Sequence, residues 1–121
     1  MSETEVRKEL LERLIRISGS LEKILEELEL YDFEAVNGEA LVVLSRKDFI
    51  SVLERYLAGE ISGEDIYNWA DALELRDDVD FGERDDETGD VFDLISNIAN
   101  PLLKGKLTPE MVKNFVGELK R

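Results

Sequence analysis

"VRKELLERLIRISGSLEKILEEL" occupies residues 6–28. Within it Val6, Leu10, Leu14, Ile17, Leu21, Ile24 and Leu28 recur at steps of four, four, three, four, three and four. That is the spacing of one apolar stripe along an α-helix. Ser2 followed by Glu5 is a capping-box signature at its start. Ser18-Gly19-Ser20 weakens the middle, since glycine costs about 1 kcal/mol against alanine in a helix. The stripe nevertheless keeps its phase across Gly19, which predicts one long helix, bent at most, rather than two. Such a stripe either packs on the chain's own core or forms a coiled-coil seam between two copies. The first use makes the protein a monomer, and the second gives a dimer through the N-terminal helix.

Working outward, Tyr31, Phe33 and Ala35 alternate with Asp32 and Glu34. Asn37-Gly38 is the preferred pair for a type I′ turn, where both central residues take positive φ. The run "ALVVL" that follows is rich in β-branched residues. Residues 31–44 therefore read as a short β-hairpin lying against helices, or else as an irregular loop followed by a buried stretch. Three or four shorter helices come next. Ser45 caps the first, Phe49, Ile50, Val52, Leu53, Tyr56 and Leu57 form its apolar side, and Gly59 stops it. Ser62 caps another, with Ile66, Trp69, Ala70 and Leu73 facing inward and Trp69 at core spacing. Val91, Phe92, Leu94, Ile95, Ile98 and Ala99 make a further helix, ended by Asn100-Pro101. Thr108-Pro109-Glu110 opens the last: Thr caps, Pro takes the first helical position, Glu suits the dipole. The expected fold is mainly α, with about five helices: a long N-terminal helix plus a compact bundle, and a short β-hairpin at 31–44. Residues 1–121 form a single acidic helical domain, a length that suits one core.

The net charge of −14 excludes whole function classes. A general nucleic-acid binder needs positive charge to displace counterions from phosphates, and docking to anionic membrane needs it too. A basic protein partner fits, drawn in by long-range attraction; solubility alone also accounts for the charge. The chain has no cysteine and no histidine, so it lacks disulfides, thiolate chemistry and the commonest general base and transition-metal ligand. The N-terminal stretch has no apolar core of the signal-peptide kind. A cytoplasmic protein is expected.

"RDDVDFGERDDETGD", residues 76–90, is the strongest charge feature. Residues 76–93 carry nine acids and two arginines, a net −7 and half of the chain's total. An EF-hand register starting at Asp78 puts Gly82 at position 5 and Gly89 at position 12; one starting at Asp86 puts Val91 where glycine belongs. Neither fits, so no metal and no cofactor is expected. Adjacent carboxylates on a loop rarely converge on one substrate atom, and no phosphate-cradling glycine loop, nucleophile elbow or triad is present. No catalytic residue is assigned, and an enzyme is not expected. The stretch reads instead as an exposed connection between two helices. One or both of Val79 and Phe81, alternating with Asp78 and Asp80, tuck inward and pin its start, leaving the acids outward and Glu83 to Thr88 mobile.

The helix before that stretch places Glu64, Tyr67, Asp71 and Glu74 on one stripe, opposite Trp69 and Leu73. An aromatic ring among carboxylates can anchor a basic protein while the acids steer it. Together with Asp77, Asp78, Asp85 and Asp86 these are the candidate partner-binding residues; a solvated face is the bland account of the same pattern.

"LSRKDFISVLERYLAGEISGEDIYNWADALELRDDVDF" and, further on, "ANPLLKGKLTPE" resemble small bacterial helical proteins of uncharacterised function, over roughly residues 44–110. The compact acidic style with "GEIS…WA" between helices is similar to proteins proposed as immunity partners of secreted toxins. Charge, size and the missing catalytic residue types point to a non-enzymatic protein that masks a basic partner, such as the active site of a nuclease-like toxin; the resemblance lends no binding residue. The alternative is a self-associating regulatory or structural adaptor.

Overall fold

The computed structural model describes residues 2–81, 89–100 and 107–120. Its elements run α1 (Glu3–Arg16), α2 (Leu21–Leu28), β1 (Val42–Val43), α3 (Arg46–Leu57), α4 (Gly63–Glu74), β2 (Val79–Asp80), α5 (Gly89–Ala99) and α6 (Pro109–Leu119). The fold is mainly helical, with six helices and one short strand pair among the described residues. Helix starts fall where hydroxyls mark them. Ser2 accepts from Glu5 N at 3.2 Å, Ser45 from Asp48 N at 3.1 Å, Ser62 from Asp65 N at 3.0 Å and Thr108 from Met111 N at 3.2 Å. Each satisfies a backbone donor that the first helical turn leaves without a partner.

The N-terminal stripe makes two helices, not the single long one its phase predicts. The break comes before Gly19. Ile17 adopts the left-handed conformation (φ 49°, ψ 57°). Its N–H bonds Leu14 O at 3.1 Å and Ser18 N–H bonds Arg13 O at 2.9 Å, which is a Schellman termination. A β-branched residue there costs about 1–2 kcal/mol. Two things offset that cost. Ile17 is itself buried, and the freed carbonyls of α1 find strong donors. Arg55 of α3 donates through Nη1 to Arg16 O at 2.7 Å and Ile17 O at 3.2 Å. Trp69 Nε1 of α4 donates to Leu14 O at 2.7 Å. A continuous helix would use those carbonyls itself, so the docking of α3 and α4 competes with helix continuation and wins. Gly19 (φ +95°) then turns the chain and Ser20 caps α2, accepting from Lys23 N at 3.4 Å. The whole stripe still serves one core: Leu10, Leu14, Ile17, Leu21, Ile24 and Leu28 are buried and Val6 packs at the edge.

Residues 31–44 keep the expected turn and little else of the hairpin. Asn37 (φ 55°) and Gly38 (φ 79°) take the type I′ signs, and Val36 and Glu39 form one antiparallel bridge. Both arms of the would-be hairpin are then claimed elsewhere. Asp32, Phe33 and Glu34 give their carbonyls to donors from residues 7 and 76–78. Leu41 N and Leu44 N bond Asp78 O at 2.8 Å and Asp80 O at 2.7 Å. β1 thus pairs in parallel with β2, Val42 opposite Val79 and Val43 opposite Asp80.

The core centres on Trp69, fully buried and stacked on Phe49 with centroids 5.8 Å apart and planes at 21°. Leu11, Leu14, Leu44, Leu53, Ile66, Leu73 and Ile95 complete its fully buried centre. α4 packs along α5, α3 against α6, and α1 against both α2 and α3. Gly59 (φ +84°) ends α3 by the same Schellman geometry as Ile17, with Glu60 N to Arg55 O at 2.9 Å and Gly59 N to Tyr56 O at 3.0 Å.

Two glycine substitutions separate backbone strain from packing, because an added Cβ would meet nothing within 4 Å at either Gly19 or Gly117. Gly19→Ala is expected to lower unfolding free energy by about 1 kcal/mol, since the residue must hold a positive φ. Gly117→Ala, inside α6, is expected to raise it by about 0.5–1 kcal/mol through helix propensity. Urea denaturation of both variants checks the opposite signs.

Candidate functional site

α4 displays the predicted acidic stripe. At 100° per residue, positions 64, 67, 71 and 74 fall within a sector of about 80°. Glu64 and Asp71 are exposed, and Tyr67 keeps 37% of its surface. Glu74 is half-buried, its Oε2 accepting from Asn100 Nδ2 at 2.9 Å. The opposite face of the helix is sealed by Ile66, Trp69, Ala70 and Leu73. The stripe is therefore held rigidly, backed by the core, and presents two free carboxylates around one aromatic ring.

The stripe leads to Asp77, which is also exposed. Its backbone N–H bonds Phe33 O at 3.0 Å, which places the 52%-exposed Phe33 beside it. Leu75, two residues earlier, is 67% exposed. Acidic steering groups and exposed apolar anchors thus lie side by side here. Sequence reading missed both anchors. Phe33 sits in an alternating stretch that suggested a strand, and Leu75 follows the last turn of α4. Asp85 and Asp86 lie outside the described residues, as does the segment from Glu83 to Thr88.

Asp78 requires a correction. It is not an exposed member of an acidic hook but is fully buried. Alternation of residues 78–81 holds for Val79, which is buried, and Phe81, which is half-buried and packs edge-on against Phe92 with centroids 5.3 Å apart. It fails for Asp78 because the 32–34 segment covers the other side of the strand. Arg76 grips the carboxylate with both prongs, Nε to Oδ1 at 2.8 Å and Nη2 to Oδ2 at 2.9 Å. Arg7 Nη1 stands 3.6 Å from Oδ2 and donates to Asp32 O at 2.7 Å and Glu34 O at 3.2 Å. Arg76 Nη2 also reaches Asp32 O at 3.3 Å. α1, the 32–34 segment and the start of β2 are joined at this one charge cluster.

A signal for Arg7 exists in the sequence. Residues 7, 10, 11, 14 and 15 follow the i, i+3, i+4, i+7, i+8 rule, and all five are buried. The stripe is wider than the single row that starts at Val6, and an arginine occupies a core position in it. Among the described residues, no three acidic side chains converge to hold a metal ion, and no helix is long and apolar enough to cross a membrane.

Removing one member of a buried ion cluster leaves the others uncompensated, at a cost of about 3–5 kcal/mol. Asp78→Ala is expected to lose that much stability, whereas Asp77→Ala, one residue away and exposed, should change it by less than about 0.5 kcal/mol. Chemical denaturation followed by circular dichroism measures the difference.

Comparison with known proteins gives no match: no family model fits the chain, and no curated protein or solved structure is detectably similar to it.

Proposed function

We propose that this chain is a non-enzymatic acidic binding protein that captures a basic protein partner and masks it in the cytoplasm, in the manner of an immunity or inhibitor protein acting on a nuclease-like toxin. The observation that carries this reading is the outer face of α4, where Glu64, Tyr67 and Asp71 are exposed together on a helix anchored by Trp69. Tyrosine supplies contact area at low entropic cost, and the flanking carboxylates favour a cationic surface. Phe33, Leu75 and Asp77 extend the same combination beyond the end of α4.

Composition adds a second support. Two arginines that would offset the acidic surface are turned inward, Arg7 and Arg76 onto Asp78. The chain's net charge of −14 gives it a negative long-range field. Long-range attraction of this kind raises association rates and is screened by salt over about 8–10 Å.

Affinity purification from the native cell is expected to recover a basic protein. Against that protein, the triple variant E64Q/D71N/D77N should associate about tenfold more slowly at low salt, with the deficit fading at high salt. Tyr67→Ala should act mainly by hastening dissociation. Melting temperatures should hold, because all four side chains are exposed. Recovery of no basic partner, or unchanged association of the triple variant at low salt, would leave solubility as the account of the charge.

A further inference from the structure

A cleft of about 540 Å³ opens beside the first turns of α1, lined by Glu3, Thr4, Arg7, Tyr31 and Asp32. Its size is within the range of about 300–1,000 Å³ usual for small-molecule sites. Arg7 is its unusual wall. The residue is only 6% exposed, yet half of its guanidinium does no work inside the protein. Nη1 takes all of its bonds, to Asp32 O and Glu34 O, and faces Asp78. Nε and Nη2 donate to nothing among the described residues. No fully buried side-chain nitrogen lacks a partner among those residues, so these two nitrogens must reach solvent, and the cleft is the opening that Arg7 lines.

Charge points the same way. Asp78 is already matched prong for prong by Arg76 at 2.8 and 2.9 Å, so Arg7, whose Nη1 stands 3.6 Å from the same carboxylate, shares that one negative charge with a second guanidinium. The Nε–Nη2 edge of a guanidinium is planar and accepts a carboxylate in bidentate fashion. A free anion, however, must approach a chain of net charge −14 past the exposed acids Glu3 and Asp32. A zwitterion meets no such barrier, and its cationic end finds those same acids at the rim.

We propose that the cleft binds a free α-amino acid, its carboxylate on the Nε–Nη2 edge of Arg7 and its ammonium toward Glu3 and Asp32. Tyr31, half-buried against the core, and Thr4 form the remaining wall. This assignment is independent of the partner-binding face on α4.

The test is an NMR titration of the full chain with L-alanine, acetate and methylammonium in turn. L-Alanine is expected to shift the backbone amides of Thr4, Arg7, Tyr31 and Asp32 saturably, acetate to bind at least tenfold more weakly, and methylammonium not to bind. Arg7→Lys keeps the charge, removes the bidentate edge, and should abolish the alanine shifts. Should that variant fail to fold, E3Q/D32N still decides, since both side chains are exposed. It should bring alanine down to the affinity of acetate. Absence of a saturable alanine shift, acetate binding as tightly as alanine, or unchanged alanine affinity in E3Q/D32N would each overturn the proposal.

Discussion

Asp78 is the charge on which the chain closes. Its carboxylate is fully buried, which on its own would be prohibitively costly, and two arginines make it tolerable. Arg76 comes from its own segment, while Arg7 comes from the first helix. The same guanidinium groups hold the carbonyls of Asp32 and Glu34, and the Asp78 backbone carbonyl receives Leu41 N. An irregular stretch of chain is thereby fixed without regular structure of its own. A buried ion cluster adds little net stability over an apolar one of equal volume, but it is demanding in geometry. It selects one placement of the 31–44 segment against the helices, which apolar packing alone would leave loosely defined.

A second constraint operates at the end of α1. Helix carbonyls there are not left to water but are taken by Arg55 and Trp69, each belonging to a different helix. α3 and α4 are oriented by these bonds as well as by packing. Arg46 repeats the device, donating to Leu119 O at the end of α6 at 3.4 Å, and Asn100 does so for α5 through Ser96 O at 2.7 Å. Cationic and amide side chains near helix C-termini also complement the helix dipole.

Local signals were legible in the sequence, and long-range competition was not. Ser2, Ser45, Ser62 and Thr108 each act over three residues, and each cap formed. Gly59 ends α3 because a positive φ suits it. Ile17 ends α1 against its own preference, because of donors at positions 55 and 69 that no local rule connects to it. Asn37-Gly38 made its turn, yet the strands beside it were drawn to β2. On α4, Glu64, Tyr67 and Asp71 were readable because helix periodicity alone decides which face is outward. Asp78 was not, since its burial depends on a covering segment far away in the chain. Leu75 and Phe33 escaped notice for a related reason: exposure of an apolar residue outside a regular element leaves no pattern.

The parallel pairing of β1 with β2 has a consequence for the order in which the molecule assembles. Antiparallel neighbours can zip from a turn, but a parallel pair must wait until the intervening chain has folded back. Here that chain includes α3 and α4. The strands, and the ion cluster at their end, therefore cannot close until the chain between them has folded back. Asp77 and Asp80, which frame this junction, take up their native directions only with that closure. A partly folded chain would carry the same net charge but would not present it in the native arrangement, so the acidic edge reports on completion of the fold.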